Sequence, residues 1–179
     1  MQYGRTSLET PLPTKTAFVL VGHGAVAKDC PRDLVRQFKA LEGRRHTTGD
    51  PPTPEEKALE DRIRHWPRTP HNDSYGAGCE QLISSLRPLL PKMTIKLAYL
   101  EFSAPTLEEV VEELWQSGVN QVLIAPSMMT PGGVHSEVDI PQIVAQLRTT
   151  YPELTLRYAW PFDLTQIAQL MADHVQQFA

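Results

Sequence analysis

Three residues have the types and positions that could hold a metal ion. They are His23 in Leu20-Val21-Gly22-His23-Gly24, Glu101 in Tyr99-Leu100-Glu101-Phe102, and His135 closing Thr130-Pro131-Gly132-Gly133-Val134-His135. Two imidazoles and one carboxylate suit Fe(II), Co(II) or Ni(II) when coordination positions stay open for a substrate. An imidazole with an ordinary pKa of about 6.5 can hold an ion or accept a proton near neutrality. Each residue also has a plainer reading: His23 as a bridge across its own turn, Glu101 as a carboxylate at a helix N-terminus, His135 as a solvated loop residue. The placement of all three on one edge of the fold outweighs those readings.

That placement follows from the elements. Ala17-Phe18-Val19-Leu20-Val21 is a short apolar run ended by Gly22 and reads as a strand buried on both faces. From Pro31 the chain is helical, with Leu34, Val35, Phe38 and Leu41 on one side; residues 43–53, rich in Gly, Pro and Thr, read as a loop. Thr53-Pro54-Glu55-Glu56 opens a second helix by a capping box, carrying Leu59, Ile63 and Trp66, and a third covers 77–90. Strands are then expected at 93–100, 121–125 and 154–160. Between them lie an amphipathic helix through Leu107, Val110, Val111, Leu114 and Trp115, and another capped by Asp139. The last helix should turn Ile167, Leu170, Met171, Val175 and Phe178 inward. Strands alternating with helices imply an α/β fold, a three-layer sandwich with a four-stranded parallel sheet and helices on both faces. Ligands of such sheets bind beyond the carboxyl ends of the strands, where His23, Glu101 and His135 fall.

Residues 1–16 read as a flexible polar tail and 17–179 as a single domain, with a helical insertion at about 43–76 that is too short to own a core. The net charge of -4 gives no general attraction to nucleic acid or an anionic membrane. There is no apolar run of membrane-spanning length, and Cys30 and Cys79 form no CxxC pair, so a cytoplasmic location is expected. Residues 43–78 hold six Lys/Arg against six Asp/Glu. Arg44, Arg45, Arg62, Arg64 and Arg68 could form a lid over the site, but solvated surface arginines are the better reading. His46, His65 and His71 lack ligand spacing, and His174 lies on the apolar side of the last helix.

His23 in LVGHG, Glu101 in AYLEFSAPTLEE and His135 in APSMMTPGGVHSEVDIP resemble successive signatures of the sirohydrochlorin chelatases of the CbiX/SirB type. The resemblance covers residues 17–30 and 93–178, and the glycine loop followed by His-x-x-x-Asp-Ile-Pro is its most specific portion. It implies a chelatase-like fold and ATP-independent insertion of Co2+, Fe2+ or Ni2+ into sirohydrochlorin, in siroheme- or cobalamin-type biosynthesis. It also implies metal ligation by His23, Glu101 and His135, no cofactor beyond the substrate metal, and a homodimer. Gly24, Ser127, Met128, Met129, Gly132 and Gly133 are expected along the macrocycle, although core packing is the better reading of the two methionines. The segment 43–76, and Ser127, Met128 and Met129 in place of bulkier apolar residues, depart from the family pattern.

Gly22-His23-Gly24-Ala25-Val26-Ala27 also matches G-x-G-x-x-A, but Pro31 delays the helix that a dinucleotide fingerprint needs. Glycine rather than arginine before His23 argues against a histidine phosphatase. A metal or tetrapyrrole carrier with a chelatase fold is the rival from another class.

Overall fold

The computed structural model describes residues 15–179, so residues 1–14 of the expected tail lie outside the described residues. Thr16, also assigned to that tail, instead opens the first strand. In chain order the elements are β1 (Thr16–Gly22), α1 (Arg32–Thr48), α2 (Pro54–Arg64), α3 (Ser74–Leu86), β2 (Thr94–Tyr99), α4 (Leu107–Gln116), β3 (Gln121–Pro126), α5 (Ile140–Thr150), β4 (Thr155–Tyr158) and α6 (Leu164–Val175). The strands form one parallel sheet in the order β2-β1-β3-β4. This is the α/β architecture expected from the alternation.

The twofold period of β1 sorts its side chains. Ala17, Val19 and Val21 join Val110, Val111 and Leu114 of α4 and Ile140, Val144 and Leu147 of α5 in the larger core. Phe18 and Leu20 face the other way, against Cys79 and Ile83 of α3. On β3 and β4, Val122, Ile124 and Leu156 are buried toward the larger core, while Thr155 and Arg157 on the opposite face are exposed.

The structure departs from the sequence expectations at three places in this frame. α1 runs through the expected loop as far as Thr48 and stops at Gly49, whose φ of 74° takes the left-handed C-cap and whose N–H bonds the Arg45 carbonyl. Thr53 does cap α2 by accepting from the Glu56 N–H, but the Glu56 carboxylate, 2% exposed, turns to Arg45 of α1 at 2.7 Å instead of closing the capping box. Leu59 and Ile63 of segment 43–76 pack with Leu34 and Phe38 of α1, over Ala27 and Cys30 of the loop after β1, so the segment completes a small cluster that it shares with residues outside it. Third, α6 does not turn its apolar residues inward. Leu170, Met171, Val175 and Phe178 are 61–78% exposed, and His174 packs edge-on against Phe178.

Candidate metal centre

His23 follows β1, Glu101 follows β2 and His135 follows β3, and because the strands are parallel these ends share one edge of the sheet. There one nitrogen or oxygen from each of His23, Glu101 and His135 lies within 4.8 Å of the others, all half-buried. The two imidazoles meet edge to face with centroids 4.8 Å apart, and His135 Nε2 stands 4.0 Å from Glu101 Oε1. A metal–nitrogen bond of roughly 2.1 Å puts neighbouring ligands about 3 Å apart. To grip an ion the cluster would need to close by about 1 Å between His135 and Glu101 and by up to about 2 Å across its widest pair, within the reach of side-chain torsions.

Both histidines are tied back through Nδ1. His23 Nδ1 lies 2.9 Å from the Gly24 carbonyl, and His135 Nδ1 lies 2.7 Å from Asp139 Oδ2. With Nδ1–H donated, each ring presents an Nε2 lone pair, the tautomer that a ligating histidine needs. The residue pattern suggests a helix cap for Asp139. In the fold Asp139 has helical dihedrals and makes no side-chain cap bond, because the wide π-helical turn His135–Asp139 leads straight into α5. That turn puts the Asp139 carboxylate beside His135, four residues back. The only sequence signal for this role is the His-x-x-x-Asp spacing.

Glu101 does not sit at a helix N-terminus. α4 begins six residues later and is capped by Thr106 and Glu109 in a complete capping box. The Glu101 loop is built by main-chain contacts. Its N–H donates to the His23 carbonyl at 2.8 Å, and its own carbonyl accepts from the Ser103 N–H at 2.6 Å. Gly24, at φ +93°, lies so close that a Cβ there would stand 1.8 Å from the Glu101 carbonyl oxygen. The close approach that Gly24 permits is thus internal, to the neighbouring loop. Phe102 adopts φ 55° and Ser103 is buried, its hydroxyl 3.2 Å from both the N–H and the carbonyl of Ala25.

The remaining predicted contact residues line the third loop. Gly132 and Gly133 are exposed with open space around them. Met128 packs against the larger core and Met129 is half-buried. Ser127 extends the β3 ladder by donating to the Val21 carbonyl, and its hydroxyl is 3.4 Å from Tyr75 Oη. That tyrosine also accepts the His23 N–H at 2.8 Å. Tyr75 thus braces the loops after β1 and β3 from the start of α3, a role that only packing discloses.

Of the five arginines read as solvated, only Arg44 and Arg62 are exposed. Arg45 pairs with Glu56, while Arg64 and Arg68 turn inward onto backbone carbonyls around Glu101. Cys30 and Cys79 are free and buried, and burial pushes both thiols up, so neither offers a ready thiolate. A cleft of about 430 Å³ runs along the edge of β2 beside Glu80, Arg87, Lys96 and Glu113. It contains none of His23, Glu101 and His135, which stand instead at the carboxyl edge of the sheet. Among the described residues, no helix is long and apolar enough to cross a membrane.

Comparison with known proteins bears on the family and the fold. A sirohydrochlorin ferrochelatase of Priestia megaterium is 20% identical over 111 residues, covering 60% of this chain and 41% of that protein. A sirohydrochlorin cobaltochelatase of the same organism is 26% identical over 74 residues, covering 41% of this chain and 24% of that protein. The chain thus spans less than half the length of either curated relative. Among solved structures, the fold resembles a CbiX protein from Marinobacter aquaeolei VT8, with a TM-score of 0.53 at 17% identity, covering 92% of this chain and 94% of that one. The CbiX family model matches residues 71–177, which include Glu101 and His135. This chain belongs to the CbiX/SirB chelatase family.

Proposed function

We propose that the chain inserts a divalent metal ion, Co2+, Fe2+ or Ni2+, into sirohydrochlorin without ATP. The observation that carries this reading is the cluster of His23, Glu101 and His135 within 4.8 Å at the open mouth of the sheet. The ion is a substrate, held by the Nε2 atoms of His23 and His135 with Glu101 completing the set. The two pyrrole N–H protons must leave as the metal enters, and the Glu101 carboxylate, 35% exposed, stands where it can accept one. Open coordination positions then pass to the macrocycle nitrogens. Gly132 and Gly133 offer uncovered backbone for the flat face, with Ser127, Met128 and Met129 behind it. Gly24 contributes indirectly, by letting the His23 and Glu101 loops touch.

The activities of the two curated relatives support sirohydrochlorin as substrate and cobalt or iron as metal. A homodimer is part of the same reading. A large apolar side chain gains roughly 1.5–3 kcal/mol on full burial, and the exposed Leu170, Met171, Val175 and Phe178 leave that unrealised in one copy. Two buried, unpaired thiols accord with the cytoplasm. The second reading, a metal or tetrapyrrole carrier, keeps the same site and drops the turnover, because a fold does not fix an activity.

Mixing the protein with Co(II) and excess sirohydrochlorin and following the absorbance spectrum separates the two. A chelatase makes many equivalents of metallated product, and a carrier stops at one. His135→Ala should abolish insertion while the far-ultraviolet circular dichroism stays unchanged. Full turnover in that variant rules out the ligand assignment. Repeating the assay with iron and nickel ranks the metals.

A further inference from the structure

We propose that Arg64 and Arg68 are positioning residues for Glu101, clamping the main chain on both sides of it. The proposal rests on the reading of Glu101 as a metal ligand. Glu101 differs from its two partners in how it is held. Each histidine is oriented by a hydrogen bond to its own ring, whereas among the described residues the Glu101 carboxylate has only His135 Nε2, 4.0 Å away. The backbone therefore fixes where this side chain starts and how far its carboxylate can reach.

That backbone is gripped from outside the sheet. Arg64, the last residue of α2, donates from Nη2 to the Leu100 carbonyl at 2.8 Å and from Nη1 to the Ser103 carbonyl at 3.4 Å. Arg68, in the turn beyond α2, donates to the Phe102 carbonyl from Nη2 and to the Ala25 carbonyl from Nη1 at 2.6 Å. The carbonyls of residues 100, 102 and 103 are all engaged, and Ala25 ties the same clamp to the His23 loop. The guanidiniums are fixed in turn by carboxylates, Arg64 by Glu60 at 2.6 Å and Arg68 by Asp73 at 2.9 Å. Their side chains are only 16% and 20% exposed. A planar fork of donors can bridge two carbonyls at once, and an ammonium cannot do so with the same geometry. The left-handed Phe102, unfavourable for a bulky residue, needs such external support to persist.

Both arginines precede residue 71, where the match to the family begins. The segment over 43–76 thereby serves as the outer brace of one ligand loop.

The test uses the full chain with Arg64→Ala, the charge-retaining Arg64→Lys, and Arg68→Lys. Amide hydrogen exchange is read first, without metal. The Glu101 and Ser103 amides should exchange at least about tenfold faster in each variant, while Val122 and Ile124 in β3 stay protected. Unchanged protection at Glu101 and Ser103 overturns the clamp. Co(II) titration is read second. Arg64→Ala should weaken Co(II) binding by about 10-fold, and adding Arg64→Ala to Glu101→Ala should cost little more than Glu101→Ala alone. Fully additive losses overturn the proposal, because Arg64 would then act by a route other than Glu101. An unaltered protein that binds no Co(II) overturns the metal reading itself, and the exchange result still decides whether the arginines hold the loop.

Discussion

The Glu101 loop and the His135 loop face each other across 4.0 Å, yet they are secured in different ways. Around Glu101 the carbonyls of Leu100, Phe102 and Ser103 are taken by guanidinium donors, and Gly24 fits against the loop with no room for a methyl group. Across the site, residues 130–134 are exposed. That side is anchored mainly by the Gly132 N–H on Glu137, the Tyr158 hydroxyl on the Ser136 carbonyl, and Asp139 on His135. The proposed function gives this asymmetry a use: the braced wall would fix where the ion sits, and the open wall would leave a face for the macrocycle.

The sharpest way to break this comparison is a matched pair of glycine substitutions. Gly24→Ala drives a Cβ into the Glu101 carbonyl and should cost about 3 kcal/mol or more, with loss of Co(II) binding. Gly132→Ala has a similar φ of 94° but open space, so it should cost only the backbone strain, roughly 1–2 kcal/mol. Urea denaturation of the two measures the difference, and equal losses would mean the walls are equally packed. A smaller effect is expected at Asp139. Asp139→Asn removes the charge that fixes the His135 tautomer and should weaken Co(II) binding about 10- to 100-fold with little change in stability. Titration at fixed pH reads this directly.

Tyr158 should give the smallest effect. Its hydroxyl donates to the Ser136 carbonyl at 2.9 Å, and burial pushes the phenol up to about 12 from 10.0. The folded state therefore keeps a proton that the unfolded chain releases first. Its contribution is full below about pH 10 and is lost as pH rises through about 12. Tyr158→Phe should cost about 1 kcal/mol near neutrality and flatten the decline in stability over that alkaline range. A decline as steep as in the unaltered protein would assign it to another group.

Much of this was legible in the residue pattern. The alternation of apolar strands and amphipathic helices implied a parallel sheet, and a parallel sheet must gather the loops after its strands on one edge, which is why His23, Glu101 and His135 could be grouped without coordinates. The misses share a cause. α4 and α6 both carry an apolar face in sequence, yet Val110, Val111 and Leu114 are buried while Leu170, Met171 and Val175 are exposed. Periodicity shows that a helix has an apolar side, not what covers it.

Sequence by itself determined the succession of strands and helices and the edge on which His23, Glu101 and His135 meet, because those follow from local propensity and the handedness of parallel crossovers. Only the tertiary structure decided that Asp139 orients His135 instead of capping a helix, and that Arg64 reaches a carbonyl 36 residues away. Those roles depend on a wide helical turn and on contacts between distant segments. Neither leaves a mark in the residues that surround them in sequence, since a hydrogen bond is set by where two atoms arrive after the whole chain has packed.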